Sequence, residues 1–210
     1  MRELAPELMP QKTRVAMNSF SLLAGLSLLL AGPTQAPREP TPPLPAAIRR
    51  ALPAGYTVLD AAKGDLNRDA LPDWLVVVHQ PDEQKTSDVV AHPTKRPLLL
   101  FVGGTGGTYT LAARTDNAVY CVDCGGIMGD PFMGLAIKKG YFTVEHYGGS
   151  AQRWTRFVTF KYDPAARTWL LHRDGREHFD ATDPEHSTTT ATTTKNFGRV
   201  PLAKFDIYQE

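Results

Sequence analysis

The apolar and polar positions of this chain repeat mostly with a period of two, the period of a strand. Residues 154–162 (WTRFVTFKY) put Trp154, Arg156, Val158, Phe160 and Tyr162 on one face and Thr155, Phe157, Thr159 and Lys161 on the other. Residues 141–147 (YFTVEHY) and 168–174 (TWLLHRD) flank that segment. Gly148-Gly149-Ser150 and the turn at 163–167 separate the three, which predicts a run of hairpins. Two earlier runs, 74–78 (WLVVV) and 98–102 (LLLFV), are apolar throughout and predict strands buried on both faces. An extended segment occupies 56–65, and a glycine-rich turn at 103–107 leads into YTLAA. Residues 80–97 are polar and broken by prolines, so they predict an exposed excursion.

A helical signal is confined to 45–52, where Pro45 opens good helix formers and Pro53 stops them. The stretch 180–194 is acidic and then threonine-rich, which is the composition of a solvated loop, although threonine equally suits an edge strand. The closing residues, 197–208, carry apolar side chains expected to pack back onto the sheet. The sum is a mainly β (β-rich α+β) chain: one antiparallel, sandwich-like domain over 46–210 with a short N-terminal helix.

The start of the chain is of another kind. Lys12 and Arg14 precede an apolar run from Phe20 to Ala31, and Thr34-Gln35-Ala36 offers small residues for cleavage. That run is too short to span a bilayer, so 1–36 predicts a removable export signal rather than an anchor. A buried core helix is the competing reading, and Met17 is an alternative start. Pro33 stands where a lipoprotein would need its cysteine, which excludes lipidation there. Six prolines between Pro33 and Pro45 make 37–45 a stiff tether. The expected location is periplasmic or extracellular, and the mature chain is expected to be monomeric with no transmembrane segment. A formal net charge of +1 without a dense basic run argues against nucleic acid as a partner.

Candidate chemistry begins at the loop before the first buried strand. Asp65, Asn67, Asp69 and Asp73 occupy positions 1, 3, 5 and 9 of a tight loop, with Leu71 at position 7 able to offer a carbonyl. Hard cations such as Ca²⁺ take six to eight oxygens, and alternate side chains of such a loop supply them. An EF-hand is excluded, because position 12 is Val76 and a strand follows. The alternative is an Asx-rich turn without metal.

The nine-residue pattern resembles the calcium loop of FG-GAP and VCBS-type (integrin-like) repeats. That resemblance covers 59–78 and implies Asp65, Asn67, Asp69 and Asp73 as side-chain ligands, Leu71 as a carbonyl ligand and a structural calcium ion. Those loops carry glycine at position 6, where this chain has Ala70; a positive φ there would strain alanine. With one such loop in a chain of this length, a propeller is not expected. The remainder resembles uncharacterised exported bacterial proteins.

The two cysteines, Cys121 and Cys124, predict a local disulfide in an oxidising compartment. A redox pair would need a following helix, and Gly125-Gly126 argues against one. A zinc site would have to recruit His172 and His178, whose spacing fits no compact zinc module. Around the turn at 148–150, His146, Tyr147, Arg153 and Trp154 form a possible ligand-binding edge suited to sugars or peptides. The competing reading makes Trp154 and Tyr147 core aromatics and Arg153 a loop cap. A hydrolytic reading would use Ser150, His146 and Asp130, without the usual nucleophile elbow. The expectation is an exported, non-catalytic binding or envelope-associated protein with an unidentified envelope or extracellular ligand. The alternative is a secreted hydrolase acting on envelope polymers or glycans.

Overall fold

The computed structural model describes residues 43–209. The expected leader at 1–36 and the expected tether as far as residue 42 lie outside the described residues. The described chain is mainly β: two antiparallel sheets and only short helices.

The first sheet is a four-strand meander of β1 (Thr57–Gly64), β2 (Asp73–His79), β3 (Leu98–Gly103) and β4 (Tyr109–Thr115), paired in that order. The second is a five-strand meander of β5 (Phe132–Lys138), β6 (Tyr141–Gly149), β7 (Gln152–Asp163), β8 (Thr168–Asp180) and β9 (Asp183–Thr193). Helix α1 (Ala46–Arg50) precedes the first sheet, α2 (Glu83–Thr86) lies between β2 and β3, and α3 (Thr194–Phe197) follows β9.

The uniform apolar run of β2 is explained by cover on both sides. Leu75 and Val77 join Leu98 and Leu100 in a core shared with Phe142, Val144, Val158, Phe160, Trp169 and Leu171 of the second sheet. Trp74, Val76 and Val78 pack on the other side with Leu99, Phe101 and Ile48 of α1. The helix exists because one apolar residue, Ile48, seals that second face. Leu44 packs there too and its carbonyl accepts from Arg49 Nη1 at 2.8 Å, so the fold begins inside the segment assigned to the tether. The tail closes the main core with Leu202, Phe205 and Ile207.

Three segments refine the sequence reading. The excursion at 80–97 is anchored rather than loose, because Arg96 is fully buried and ion-paired to both Glu83 (2.6 Å) and Asp130 (2.7 Å). Burial opposes the Arg96 charge, but hydrogen bonds and charge from Asp130 and Glu83 outweigh it and hold its pKa above the usual arginine value. Strand β5 has no clear signature in the sequence, since a bulge between Phe132 and Gly134 interrupts its alternation. The threonine-rich stretch forms the edge strand β9, with its side chains exposed on both faces over most of its length.

Candidate functional site

Two places collect chemistry. The first is the loop joining β1 to β2. Oxygens of Asp65, Asp69 and Asp73 lie within 4.8 Å of one another. Asp73 is fully buried and accepts from the backbone N–H of Leu66 (2.7 Å) and of Gly103 in β3 (2.8 Å). Burial pushes its carboxyl pKa up, the backbone hydrogen bonds from Gly103 and Leu66 oppose that, and Asp69 adds repulsion. Asp65 accepts from the N–H of Arg68 at 2.5 Å and of Ala70 at 3.3 Å. Asn67 Oδ1 accepts from Asp69 N at 3.0 Å, and its amide nitrogen donates to Asp69 Oδ2 at 2.7 Å. Leu71 donates its N–H to Asp69 Oδ1 at 2.8 Å.

Each carboxylate oxygen has two lone pairs, so these bonds leave acceptor capacity for a cation. The carboxylate trio can hold a metal ion, and a donor set of oxygens alone suits a hard one. Ala70 does adopt a positive φ, 67°, and Arg68 does so as well at 68°. In both residues a Cβ occupies the left-handed region, which costs each about 1–2 kcal/mol.

This loop also joins the sheets. The Asp65 carbonyl accepts from Gly140 N (2.9 Å), in the turn between β5 and β6. The Leu66 carbonyl accepts from the buried Trp169 indole of β8 (2.9 Å), and Leu66 itself sits in the shared core.

The second place is the far end of the second sheet, where β7 and β8 run on past the core. Trp154, Arg156 and Val158 stand side by side with His178, Arg176 and Asp174 across the β7–β8 pair, so these six share a face. A cavity of about 350 Å³ opens on that face, walled by Tyr120, Trp154, Tyr208, Arg156, Arg176 and His178. Arg156 is buried and clamped: Nε and Nη2 donate to Asp174 at 3.0 and 2.8 Å, and Nη1 donates to Tyr120 Oη (2.5 Å) and the Ile207 carbonyl (2.9 Å). Burial disfavours its charge, yet Asp174 and Tyr120 together hold its pKa above the usual value. Arg176 shares Asp174 at 3.6 Å. The Tyr120 ring meets Trp154 and Tyr208 edge-on, each at 5.7 Å.

The rim is built by the cysteine turn. Cys121 and Cys124 are joined in a disulfide with Cα atoms 5.1 Å apart. Asp123 between them accepts from Ser87 Oγ (2.6 Å) and Val89 N (2.8 Å), which brings Val89 to the cleft. A 3₁₀ turn over Gly126–Met128 follows instead of an α-helix. His178 lines the cleft, while His172 packs on the Tyr141 ring at 5.1 Å and lines a different cavity. The two histidines are therefore not gathered around the cysteines.

The four residues of the expected binding edge divide between two faces. Trp154 and His146 lie on the cleft face, with Trp154 lining it and His146 sealed below at 1 % exposure. Tyr147 and Arg153, being their chain neighbours in β6 and β7, fall on the opposite face. His146 Nε2 accepts from Tyr120 N at 3.3 Å, and burial with the nearby Arg156 and Arg96 cations pushes its pKa down to about 3. Asp130 is committed to Arg96, and Ser150 sits in an exposed turn, so these three side chains form no triad. Tyr120, Arg156, Arg176 and Tyr208 were not singled out from the sequence. Arg156 alone left a signal, as a charged residue on an otherwise apolar strand face.

Compared with protein-family models, curated proteins and solved structures, the chain gives no match. Among the described residues, no helix is long and apolar enough to cross a membrane.

Proposed function

We propose that this is an exported, non-catalytic binding protein whose ligand occupies the cleft at the open end of the second sheet, and whose 65–73 loop takes a structural Ca²⁺. The cleft carries the reading: aromatic rings and clamped guanidiniums surround a cavity of about 350 Å³, within the usual range of small-ligand sites. Such walls bind and orient. Of the two histidines here, His146 is buried, neutral at physiological pH and already hydrogen-bonded, so it supplies no general base at the cleft surface. His178 on the wall stands between Trp154 and Thr188 with no carboxylate paired across from it. Export rests on the charged and apolar pattern of 1–36, with a paired CxxC in keeping with an oxidising compartment. A glycan and peptide screen on the purified chain, read by tryptophan fluorescence with Trp154→Ala as control, tests the binding reading. Turnover of any screened polymer, lost on substitution of a cleft residue, would instead establish the hydrolase.

Asp65, Asp69 and Asp73, with the Asn67 amide and the Leu71 carbonyl, would hold the calcium, as the resemblance to FG-GAP and VCBS-type loops implies. The ion would offset the burial that raises the Asp73 pKa, together with the smaller repulsion from Asp69, and would stiffen the joint between the sheets. A cation bound only by the folded state stabilises it by about 2.7 kcal/mol at a hundredfold excess over Kd. The melting temperature is expected to rise with millimolar Ca²⁺, fall with chelator and lose the response in Asp69→Ala. An unchanged melting curve leaves only the Asx-turn reading.

A further inference from the structure

Strand β9 is built unlike the other edges of the two sheets. Its pairing with β8 runs without a shift from Ser187 opposite Phe179 to Thr193 opposite Arg173, and residues 183–192 are exposed whichever face they lie on. A strand bonded on one side turns the N–H and C=O groups of alternate residues outward. Over 187–192, no other group among the described residues pairs with those outward groups. Proteins usually blunt such an edge with lysine, proline, a bulge or a covering segment. From Ser187 to Thr193 there is neither charge nor proline, and the irregularity in the β8–β9 pairing, at 184–186, lies before that run. The remaining edges are guarded. Strands β1 and β5 lie against each other, with Leu135 N donating to Asp60 at 3.1 Å and Gly64 set against Ile137. Strand β4 is bulged at Ala112 and carries the Arg114–Asp116 ion pair (2.9 Å).

Two features of the run name its partner. Residues 187–194 (STTTATTT) read nearly the same in both directions, so two antiparallel copies set threonine against threonine, serine or alanine along their length. Cross-strand threonine pairs favour strand pairing. The two ends also carry opposite charge, with Asp183 and Glu185 before the run and Lys195 just after it. Neither Glu185 nor Lys195 has an ion-pair partner among the described residues. An antiparallel copy brings each acidic end to the other's lysine, whereas a parallel copy would set like charges together. We infer that β9 is a self-association edge: two copies of this chain pair antiparallel through 187–193 about a twofold axis, joining their second sheets. The interface is isologous and closes at two copies, because no other edge is open to a third. The twofold of an antiparallel pair stands perpendicular to the sheet, so both clefts open on the same side. Seven residues a side make a small contact, so the dimer depends on concentration, and the monomer expected from the sequence is its dilute form.

The test is sedimentation velocity of the purified chain from micromolar to millimolar concentration. The sedimentation coefficient is expected to climb from the monomer to the dimer value and stop there. Thr190→Lys sets like charges near the twofold and is expected to weaken association about tenfold, with no shift in the melting temperature of the dilute chain. Glu185→Lys and Lys195→Glu are each expected to weaken it about threefold. An equimolar mixture of those two variants is expected to recover, since each supplies the charge the other lacks. Amide hydrogen exchange is expected to slow at alternate residues of 187–193 as concentration rises, a readout that needs no variant. A chain that stays monomeric throughout, or that grows beyond two copies, overturns the inference. Dimers whose β9 exchange is unchanged, or whose association ignores Thr190→Lys, place the interface elsewhere and overturn it too. A mixture that associates no better than its single variants overturns the antiparallel arrangement.

Discussion

Strands β7 and β8 belong to two environments, and their two ends teach what the fold is for. Toward the β7–β8 turn, Val158, Phe160, Trp169 and Leu171 lie against the first sheet in the shared core. Toward the other end, Trp154, Arg156, Arg176 and His178 face a cavity that the first sheet does not reach. Both halves are paired antiparallel, and a bulge between Thr159 and Phe160 separates them, so β8 turns 174, 176 and 178 to the cleft face and 169 and 171 to the core. The core end spends its side chains on stability, and the cleft end sets aromatic rings and ion-paired arginines against a cavity.

Truncation should separate the two ends most sharply. Phe160→Ala, fully buried against Phe142 and Phe205, is expected to cost about 3–5 kcal/mol in chemical denaturation. Trp154→Ala should cost about 1 kcal/mol and act on ligand affinity instead. Equal losses of stability would erase the distinction.

His146 lies on the boundary, and acid should find it next. Its pKa in the folded chain is pushed down to about 3 from an ordinary 6.5, so between those values the unfolded chain takes up a proton that the folded one refuses. Its contribution is fully present above pH 6.5 and is lost as pH falls, by about 2 kcal/mol at pH 5. Denaturation at pH 7 and pH 5 should show that difference, and His146→Gln should remove it.

The disulfide serves the cleft end only. It closes a very short loop, so its reduction should cost about 1–2 kcal/mol while loosening the Val89 rim. Freshly purified chain is expected to show no alkylatable thiol, and reduction should weaken ligand more than it lowers the melting temperature.

The smallest expected effect lies at the joint of the core end. Ala70→Gly releases a positive-φ alanine and should stabilise the chain by about 1 kcal/mol or less, with tighter calcium binding. No gain in either would show that the loop has no use for a glycine.

Much of this architecture was legible because alternation is local. Trp154 to Tyr162 could be divided between faces by counting, and the uniform run from Trp74 to Val78 announced cover on both sides. The same counting would have separated His146 from Tyr147 and Trp154 from Arg153, which nearness in sequence had grouped. What stayed hidden depends on distant partners. Arg96 in a polar stretch gives no hint that Glu83 and Asp130 await it. Tyr120 and Tyr208 reach the cleft from segments outside its sheet, and no periodicity links them to Trp154. The carboxylate loop was visible because all its donors lie within nine residues.

The closing segment has a kinetic consequence. Every strand pairs with its neighbour in sequence, so each sheet can zip up through short loop closures. Leu202, Phe205 and Ile207 come last in sequence and make distant contacts: their segment brings Val200 onto Leu171 N–H in β8 and Ile207 N–H onto the Asn117 carbonyl beyond β4. Ile207 also gives its carbonyl to Arg156. Assembly of the two hairpin arrays can therefore run ahead while the core remains unplugged and the cleft arginine lacks one of its partners. Docking of this tail is expected to close the shared core and to complete the cleft in the same step.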